Sequence, residues 1–315
     1  MNEFEIIQRY FKQPTTNNNV IVGIGDDAAV INIPKDKQLV LCMDTLVSGI
    51  HFPIETKPED IAYKSLAVNL SDMAAMGATP SWITLSLTIP ENDLQWIEIF
   101  AKQFHALANE YALSLIGGDL SRGPMSVTVQ LQGLITPTCS LLRSGAKPGD
   151  DIYVSGTLGA AAFALKSLIE PQQWGHATNE ELLRLNRPKP RLTLSQKLLG
   201  NATSCIDISD GLVADLLHVL HEGNIGAEVI VDKLPISTSI KKLDRATCYE
   251  LALTGGDDYE LCFTLPELMS SEAIEQLNQV CPITKIGKII EQKELVLKNS
   301  DDEKINLPKS GYKHF

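Results

Sequence analysis

Five short acidic segments hold the residues best suited to chemistry: Gly25-Asp26-Asp27, Met43-Asp44-Thr45, Gly118-Asp119, Asp207-Ile-Ser209-Asp210-Gly211 and Gly256-Asp257-Asp258. In each, aspartate stands where an apolar run ends, usually beside glycine. Carboxylate oxygens suit Mg2+, an ion that completes its octahedron with water and substrate phosphates. Glycine lets backbone amides approach phosphate oxygens closely. Together the segments are suited to hold a phosphate chain and its metal. Taken singly, each is also ordinary turn chemistry, and Asp210 is placed to cap a helix.

Asp72 stands apart from these turns. The spacing predicts a helix from Pro58 to Met76, stopped by Gly77, with Glu59 and Asp60 in the first turn where the helix dipole favours carboxylates. Ser65, Asn69, Asp72 and Met76 share one stripe, and Leu66, Leu70 and Met73 share another. A helix so apolar on every side is buried on every side. A carboxylate on it needs a cation or several donors. A metal ligand and a satisfied structural acceptor both meet that demand.

Two common nucleotide motifs are excluded. There is no G-x-x-x-x-G-K-[ST] phosphate loop. Gly23-Ile-Gly25-Asp-Asp-Ala28 fits the dinucleotide pattern in letters, but the run from Ala28 to Ile33 reads as strand up to Pro34, where that motif requires a helix.

The elements that position these residues alternate between strand and helix periodicity, which predicts a mixed α/β (α+β) chain. Strands are expected from Gln38 to Met43, ending at Asp44, then from Trp82 to Ile89, from Leu113 to Ile116 leading into a Gly117-Gly118-Asp119 turn, and from Ser126 to Ile135. Asp93 to Tyr111 reads as an amphipathic helix with Trp96, Phe100, Phe104 and Leu107 inward. The turn-rich Arg143–Asp150 stretch marks a domain boundary, giving domains 1–142 and 143–315. Beyond it come a strand at Asp151–Val154, an Ala-rich helix after Gly159, a strand at Ser204–Ile208, a helix from Ser209-Asp210-Gly211 to about Glu222, and a strand at Glu260–Leu265.

The formal net charge of -12 argues against a nucleic-acid binder, whose affinity rests on Lys and Arg. The six cysteines show no paired spacing, as in reduced cytosolic thiols. Met1 to Lys12 reads as a short amphipathic helix and not a signal peptide. No apolar run approaches the ~20 residues of a membrane span. A cytoplasmic protein is expected.

In order and spacing, the motifs resemble the thiamine-monophosphate kinase family, of the aminoimidazole ribonucleotide synthetase superfamily. The resemblance runs through Gly23-Ile-Gly-Asp-Asp-Ala28, Asp44-Thr-Leu-Val, His51-Phe52, Ala67-Val-Asn-Leu-Ser-Asp72-Met-Ala-Ala-Met-Gly77 and Ile116-Gly-Gly-Asp119. It continues through Arg143-Ser-Gly-Ala-Lys-Pro-Gly-Asp150, Ile206-Asp-Ile-Ser-Asp-Gly-Leu212, Gly255-Gly-Asp-Asp-Tyr-Glu-Leu261 and Gly311-Tyr312.

The resemblance implies a two-domain fold whose N-terminal sheets pair across a homodimer, with a C-terminal α/β domain. It implies ATP between the N-terminal domains, several Mg2+ ions, and in-line transfer of the γ-phosphoryl group to thiamine monophosphate. By matching position, Asp27, Asp44, Asp72, Asp119, Asp207 and Asp210 are implied metal ligands, with Asp44, Asp72, Asp119 and Asp210 as the catalytic set. Gly118, Asp119, Arg143 and Ser209 would contact ATP, and His51 and Asp257 the acceptor. Cys42 and Met43 also fall at metal positions, where the family often has hydroxyl residues, so contact there would use backbone carbonyls. Asp257 replaces a glutamate. Lys309 stands where an aromatic residue usually meets the substrate, and Tyr312 is the substitute aromatic surface. Two rival readings are a non-catalytic nucleotide- or metal-binding protein and another ATP-dependent synthetase of the superfamily. Selenide chemistry calls for a cysteine near the first glycine-rich segment, and none lies between Met1 and Val40.

Overall fold

The computed structural model describes residues 1–14 and 17–306. Lys309 and Tyr312 lie outside the described residues. The chain divides into two compact units, one formed by Met1–Met73 with Ala78–Thr138, the other by Ala74–Gly77 with the chain from Cys139 onward.

The first unit opens with α1 (Glu3–Ile6), which continues into a π-helical turn at Ile7–Phe11. A small antiparallel pair follows, β1 (Val20–Val22) and β2 (Val30–Ile31). Then come β3 (Gln38–Val47), α2 (Pro58–Met76), β4 (Thr79–Ile89), α3 (Leu94–Glu110), β5 (Ser114–Arg122) and β6 (Ser126–Ile135). The four long strands form one sheet in the order β3-β6-β4-β5, with β4 and β5 parallel and the other pairs antiparallel.

Two strand ends differ from expectation. β3 does not stop at Asp44: its register with β6 continues through Asp44↔Val129 to Val47↔Ser126. The alternation persists, with Leu39, Leu41, Met43 and Thr45 exposed while Cys42, Asp44 and Leu46 turn to the covered face. One aspartate on the inward row leaves that period intact. Nor is Gly117-Gly118-Asp119 a turn. β5 passes straight through it, and Gly118 pairs with Leu85. A Cβ on Gly118 would sit 1.9 Å from the Leu85 carbonyl oxygen. Glycine there permits the close approach of two strands.

α2 is buried nearly all round, as its composition predicts: Leu66, Leu70, Met73 and Asn69 are fully covered. Asn69 faces β3, where its backbone carbonyl lies 3.5 Å from the Cys42 sulfur, and the Met73 sulfur lies against Gly133 on β6. α3 is capped by Asp93, whose carboxylate accepts from the amides of Gln95 and Trp96, and it buries Ile97, Phe100, Phe104 and Leu107.

The second unit contains β7 (Asp151–Ser155), α4 (Ala160–Ile169), α5 (Pro171–Trp174), α6 (Asn179–Asn186), α7 (Leu192–Leu198) and β8 (Ser204–Asp207). It continues through α8 (Leu212–Gly223), β9 (Gly226–Ile230), α9 (Arg245–Thr254), β10 (Leu261–Leu265), α10 (Ser271–Val280), β11 (Ile283–Ile290) and β12 (Leu295–Lys298). Its strands form a six-stranded sheet ordered β12-β9-β11-β7-β10-β8, parallel only at β12–β9. Ile152 and Val154 of β7, Ile206 of β8, Leu212, Leu216 and Val219 of α8, and Leu253 of α9 meet in its core. The six cysteines, all among the described residues, form no disulfide. No described helix is long and apolar enough to cross a membrane.

The N-terminal turn is anchored to α3 by His105, whose Nε2 lies 3.0 Å from the Tyr10 carbonyl. Burial lowers the His105 pKa, against that hydrogen bond, which raises it. A histidine that resists protonation when folded contributes stability above the unfolded pKa of about 6.5, and this is lost as pH falls through the folded pKa. Between pH 7.5 and pH 5 the unfolding midpoint of the native chain should therefore fall more steeply than that of His105→Gln. Parallel slopes in thermal scans would contradict this.

Candidate functional site

In the first unit a cleft of about 810 Å³ brings Gly25, Asp26 and Asp27 together with Gly117, Gly118 and Asp119. The two acidic segments, more than ninety residues apart in sequence, thus face one space. Asp27 and Asp119 are both exposed. The Asp26 carboxylate accepts the Asp27 amide at 2.9 Å, and Asp119 accepts the Ser121 hydroxyl at 2.6 Å.

A second carboxylate pair lies between β3 and α2. Asp44 and Asp72, both half-buried, are hydrogen-bonding neighbours. Burial raises the Asp44 pKa, and the bond with Asp72 opposes that rise. Two touching carboxyls share a proton or take a cation between them. Among the described residues no group of three or more His, Cys, Asp or Glu gathers as a metal site. The pair still fits Mg2+, which is usually held by one or two carboxylates together with water and substrate phosphates.

Cys42 and Met43 flank this pair differently. The Cys42 thiol points to Asn69, whereas the Met43 side chain is 61% exposed on the opposite face of the sheet. His51 is half-buried in the loop after β3, where its Nδ1 accepts the Val47 amide at 3.0 Å. That leaves Nε2 as the N–H of the neutral ring.

In the second unit, Asp207 ends β8 and is buried, and Ser209 and Asp210 follow in the turn before α8. The segment 255–260 runs alongside: the Asp257 amide donates to the Ser209 carbonyl at 2.9 Å and the Tyr259 amide to that of Ile208 at 2.8 Å. Asp257 and Tyr259 both have positive φ, +69° and +48°, an uncommon conformation for residues with side chains. Ser209, Asp210 and Asp257 are thereby held in one loop pair. Arg143 is exposed on a segment fixed at both ends. The Cys205 amide donates to the Leu142 carbonyl at 2.8 Å, and Asp150 accepts the Lys147 amide at 2.9 Å and the Thr203 hydroxyl at 2.7 Å.

Three buried carboxylates that organise these loops were given no role from the sequence: Asp258 and Glu260, which lie within segments it singled out, and Asp215, which does not. Asp215, in the first turn of α8, accepts the amides of Ser209 and Asp210 at 2.9 and 3.1 Å. Burial, then the charge of Asp207, pushes its pKa up to about 7. Asp258 holds the Gly159 amide with both oxygens at 3.0 Å, and burial raises its pKa well above the carboxylate range. Glu260 accepts from the Ser155 hydroxyl at 2.6 Å, Arg184 at 2.9 Å and Arg191 at 2.6 and 2.5 Å. One signal did exist for Asp215: it falls on the 212, 216, 219 apolar stripe of α8.

Comparison with known proteins places the chain. Residues 25–135 match the AIR synthase related protein N-terminal domain, and residues 147–299 match its C-terminal domain. The thiamine-monophosphate kinase of Salmonella typhimurium is 44% identical over 99% of this chain and 98% of its own length. The crystal structure of thiamine-monophosphate kinase from Stenotrophomonas maltophilia superposes with a TM-score of 0.85 at 44% identity, covering 92% of this chain and 93% of that one. AaThiL complexed with AMPPCP and TMP superposes with a TM-score of 0.77 at 30% identity, covering 90% of this chain and 89% of that one.

Loss of the Asp215 carboxylate leaves two loop amides without their acceptor, which costs about 1–3 kcal/mol. Asp215→Ala should lower the calorimetric unfolding midpoint more than Asp215→Asn, whose amide oxygen still accepts. Equal midpoints would show that the two bonds do not hold the turn.

Proposed function

We propose a reaction scheme from the premise that this chain belongs to the AIR synthase related family and, within it, to the thiamine-monophosphate kinases. It is an ATP-dependent kinase that transfers the γ-phosphoryl group to thiamine monophosphate, giving thiamine diphosphate and ADP. The observation that carries this reading is full-length similarity to that family, in a chain whose Gly-Asp segments line a common cleft.

The acceptor is a phosphate oxygen, ionised near neutral pH, so no strong general base is needed. What remains is to position two anions in line and offset their charge. Mg2+ bound to the carboxylates would supply that neutralisation and polarise the transferring group. In the first unit Asp27, Asp44, Asp72 and Asp119 are the residues that would hold it; in the second unit, taken by itself, Asp207 and Asp210 are the candidate ligands. Cys42 and Met43 would take part only through backbone carbonyls, because their side chains point to Asn69 and to the open face. Gly118, Ser209 and Arg143 serve the nucleotide, with Arg143 adding a fixed positive charge. His51 and Asp257 serve thiamine monophosphate, joined by Tyr312.

The protein acts as a cytoplasmic homodimer joined through the β3 sheet. β3 is an edge strand whose outward row, Leu39, Leu41 and Met43, is 40%, 57% and 61% exposed. Such a row invites pairing with a second copy.

Turnover of γ-labelled ATP should yield labelled thiamine diphosphate only when thiamine monophosphate and Mg2+ are both present. ATP binding without acceptor-dependent ADP release would point to a non-catalytic binder. Asp44→Asn and Asp72→Asn should each cut turnover about a hundredfold or more, with the unfolding midpoint retained. Near-normal turnover in either would remove that residue from the metal set. The double variant Leu41→Lys, Met43→Lys should be monomeric by light scattering where the native chain is dimeric. A variant that stayed dimeric would place the interface elsewhere.

A further inference from the structure

The N-terminal helix was singled out in the sequence, and the reaction scheme leaves it without a role. Its α1 and π-helical turn form a wall of the cleft that holds Asp27 and Asp119, with Phe4, Ile7, Phe11 and Lys12 among the lining residues. That wall is anchored from behind. Phe11 is 6% exposed, with its ring 6.5 Å from that of His105, and His105 grips the Tyr10 carbonyl. The Lys12 amide donates to the Ile7 carbonyl at 2.9 Å, which closes the π-turn. The chain therefore leaves the wall in a set direction at Lys12.

The Lys12 side chain lies over Gly25. A Cβ built on Gly25 would be 3.1 Å from the Lys12 Nζ and 3.9 Å from its Cε. Gly25 has φ +126°, so the position favours glycine, which leaves room for the lysine over the backbone. Among the described residues lining the cleft, Lys12 is the one cation, against the carboxylates of Asp26, Asp27 and Asp119. A triphosphate entering such a space meets repulsion from both acidic segments. A divalent ion relieves it but arrives with the nucleotide, whereas an ammonium on an anchored turn is in place beforehand. A charge-assisted bond from that ammonium to a phosphate oxygen is about twice as strong as a neutral one.

We infer that Lys12 is a phosphate ligand of the nucleotide, binding the β,γ end of the triphosphate over the Gly25 backbone. This rests on the reading of the cleft as the nucleotide site. Lys12 takes no proton and forms no covalent bond; its contribution is a fixed point charge.

The test uses the full-length chain with Mg2+, and calorimetric titration with AMPPCP and with AMP. Lys12→Ala should weaken AMPPCP about tenfold to a hundredfold and leave AMP unchanged. Lys12→Arg should recover most of the loss. In steady state the KM for ATP should rise and that for thiamine monophosphate should not. Equal loss for AMPPCP and AMP would mean that Lys12 merely supports the wall, which overturns the assignment. Native AMPPCP affinity in Lys12→Ala overturns it too, and Asp119→Asn then locates the fault. If Asp119→Asn weakens AMPPCP, the cleft stands and only the lysine is wrong. If it also binds normally, the cleft reading itself has failed.

Discussion

Two carboxyls in contact, Asp44 on β3 and Asp72 on α2, set the terms for the first unit. Such a pair is unfavourable alone, and the surrounding fold must hold it. α2 does so by being buried on nearly all faces, so that it neither rotates nor withdraws Asp72 without exposing Leu66, Leu70 and Met73. Asn69, one turn earlier, contacts the neighbouring Cys42, which ties helix and strand together beside the pair. Fully covering a single leucine or methionine is worth about 1.5–3 kcal/mol, so three of them outweigh the repulsion of two partly solvated carboxylates. Repulsion held in place by packing is also latent affinity for a cation.

The same logic explains why parts of the site were legible in the sequence and others were not. α2, α3 and β6 were readable because hydrophobic period alone dictates them. Asp72 stood out because a carboxylate on an all-apolar helix demands a cation or several donors, and the structure puts Asp44 beside it. Asp44 and Gly118 were misplaced at strand ends because Asp and Gly are local turn formers. What keeps them within strands is non-local: the ten-residue register of β3 with β6, and the approach of Gly118 to Leu85. No window around residue 118 contains Leu85.

Glu260, Asp258 and Asp215 show the limit more sharply. The motif around Glu260 and Asp258 was visible, but their partners are distant: Ser155 and Gly159 lie about a hundred residues away. A buried acid reads in sequence as a catalytic candidate or as nothing, because its partners decide which it is. Glu260, with two arginines and a serine, is a satisfied structural centre. Breaking such a centre is costly, since one partner's loss leaves the other's charge buried. Asp257, three residues earlier, is half-buried in a left-handed turn that these anchors sustain. The strain sits at the residue assigned to the acceptor, and the rigid ion cluster beside it can hold that strain.

Charge balance joins these observations. The chain carries -12 overall, and both substrates present phosphate groups, so its own charge opposes those groups. General positive potential is therefore not how it attracts them, and phosphate affinity must be made locally. In the proposed scheme paired aspartates would do this at one remove, by recruiting divalent ions whose affinity grows with the negative charge gathered around them. The fixed cations that the proposals invoke are individually placed: Arg143 on a segment pinned by Leu142 and Asp150, and Lys12 on a turn pinned by His105. Each follows a short anchored stretch, so its reach is limited and its location defined. An enzyme that must release a diphosphate product would gain from such an arrangement, because metal-borne charge could leave with the product whereas a strongly basic pocket would retain it.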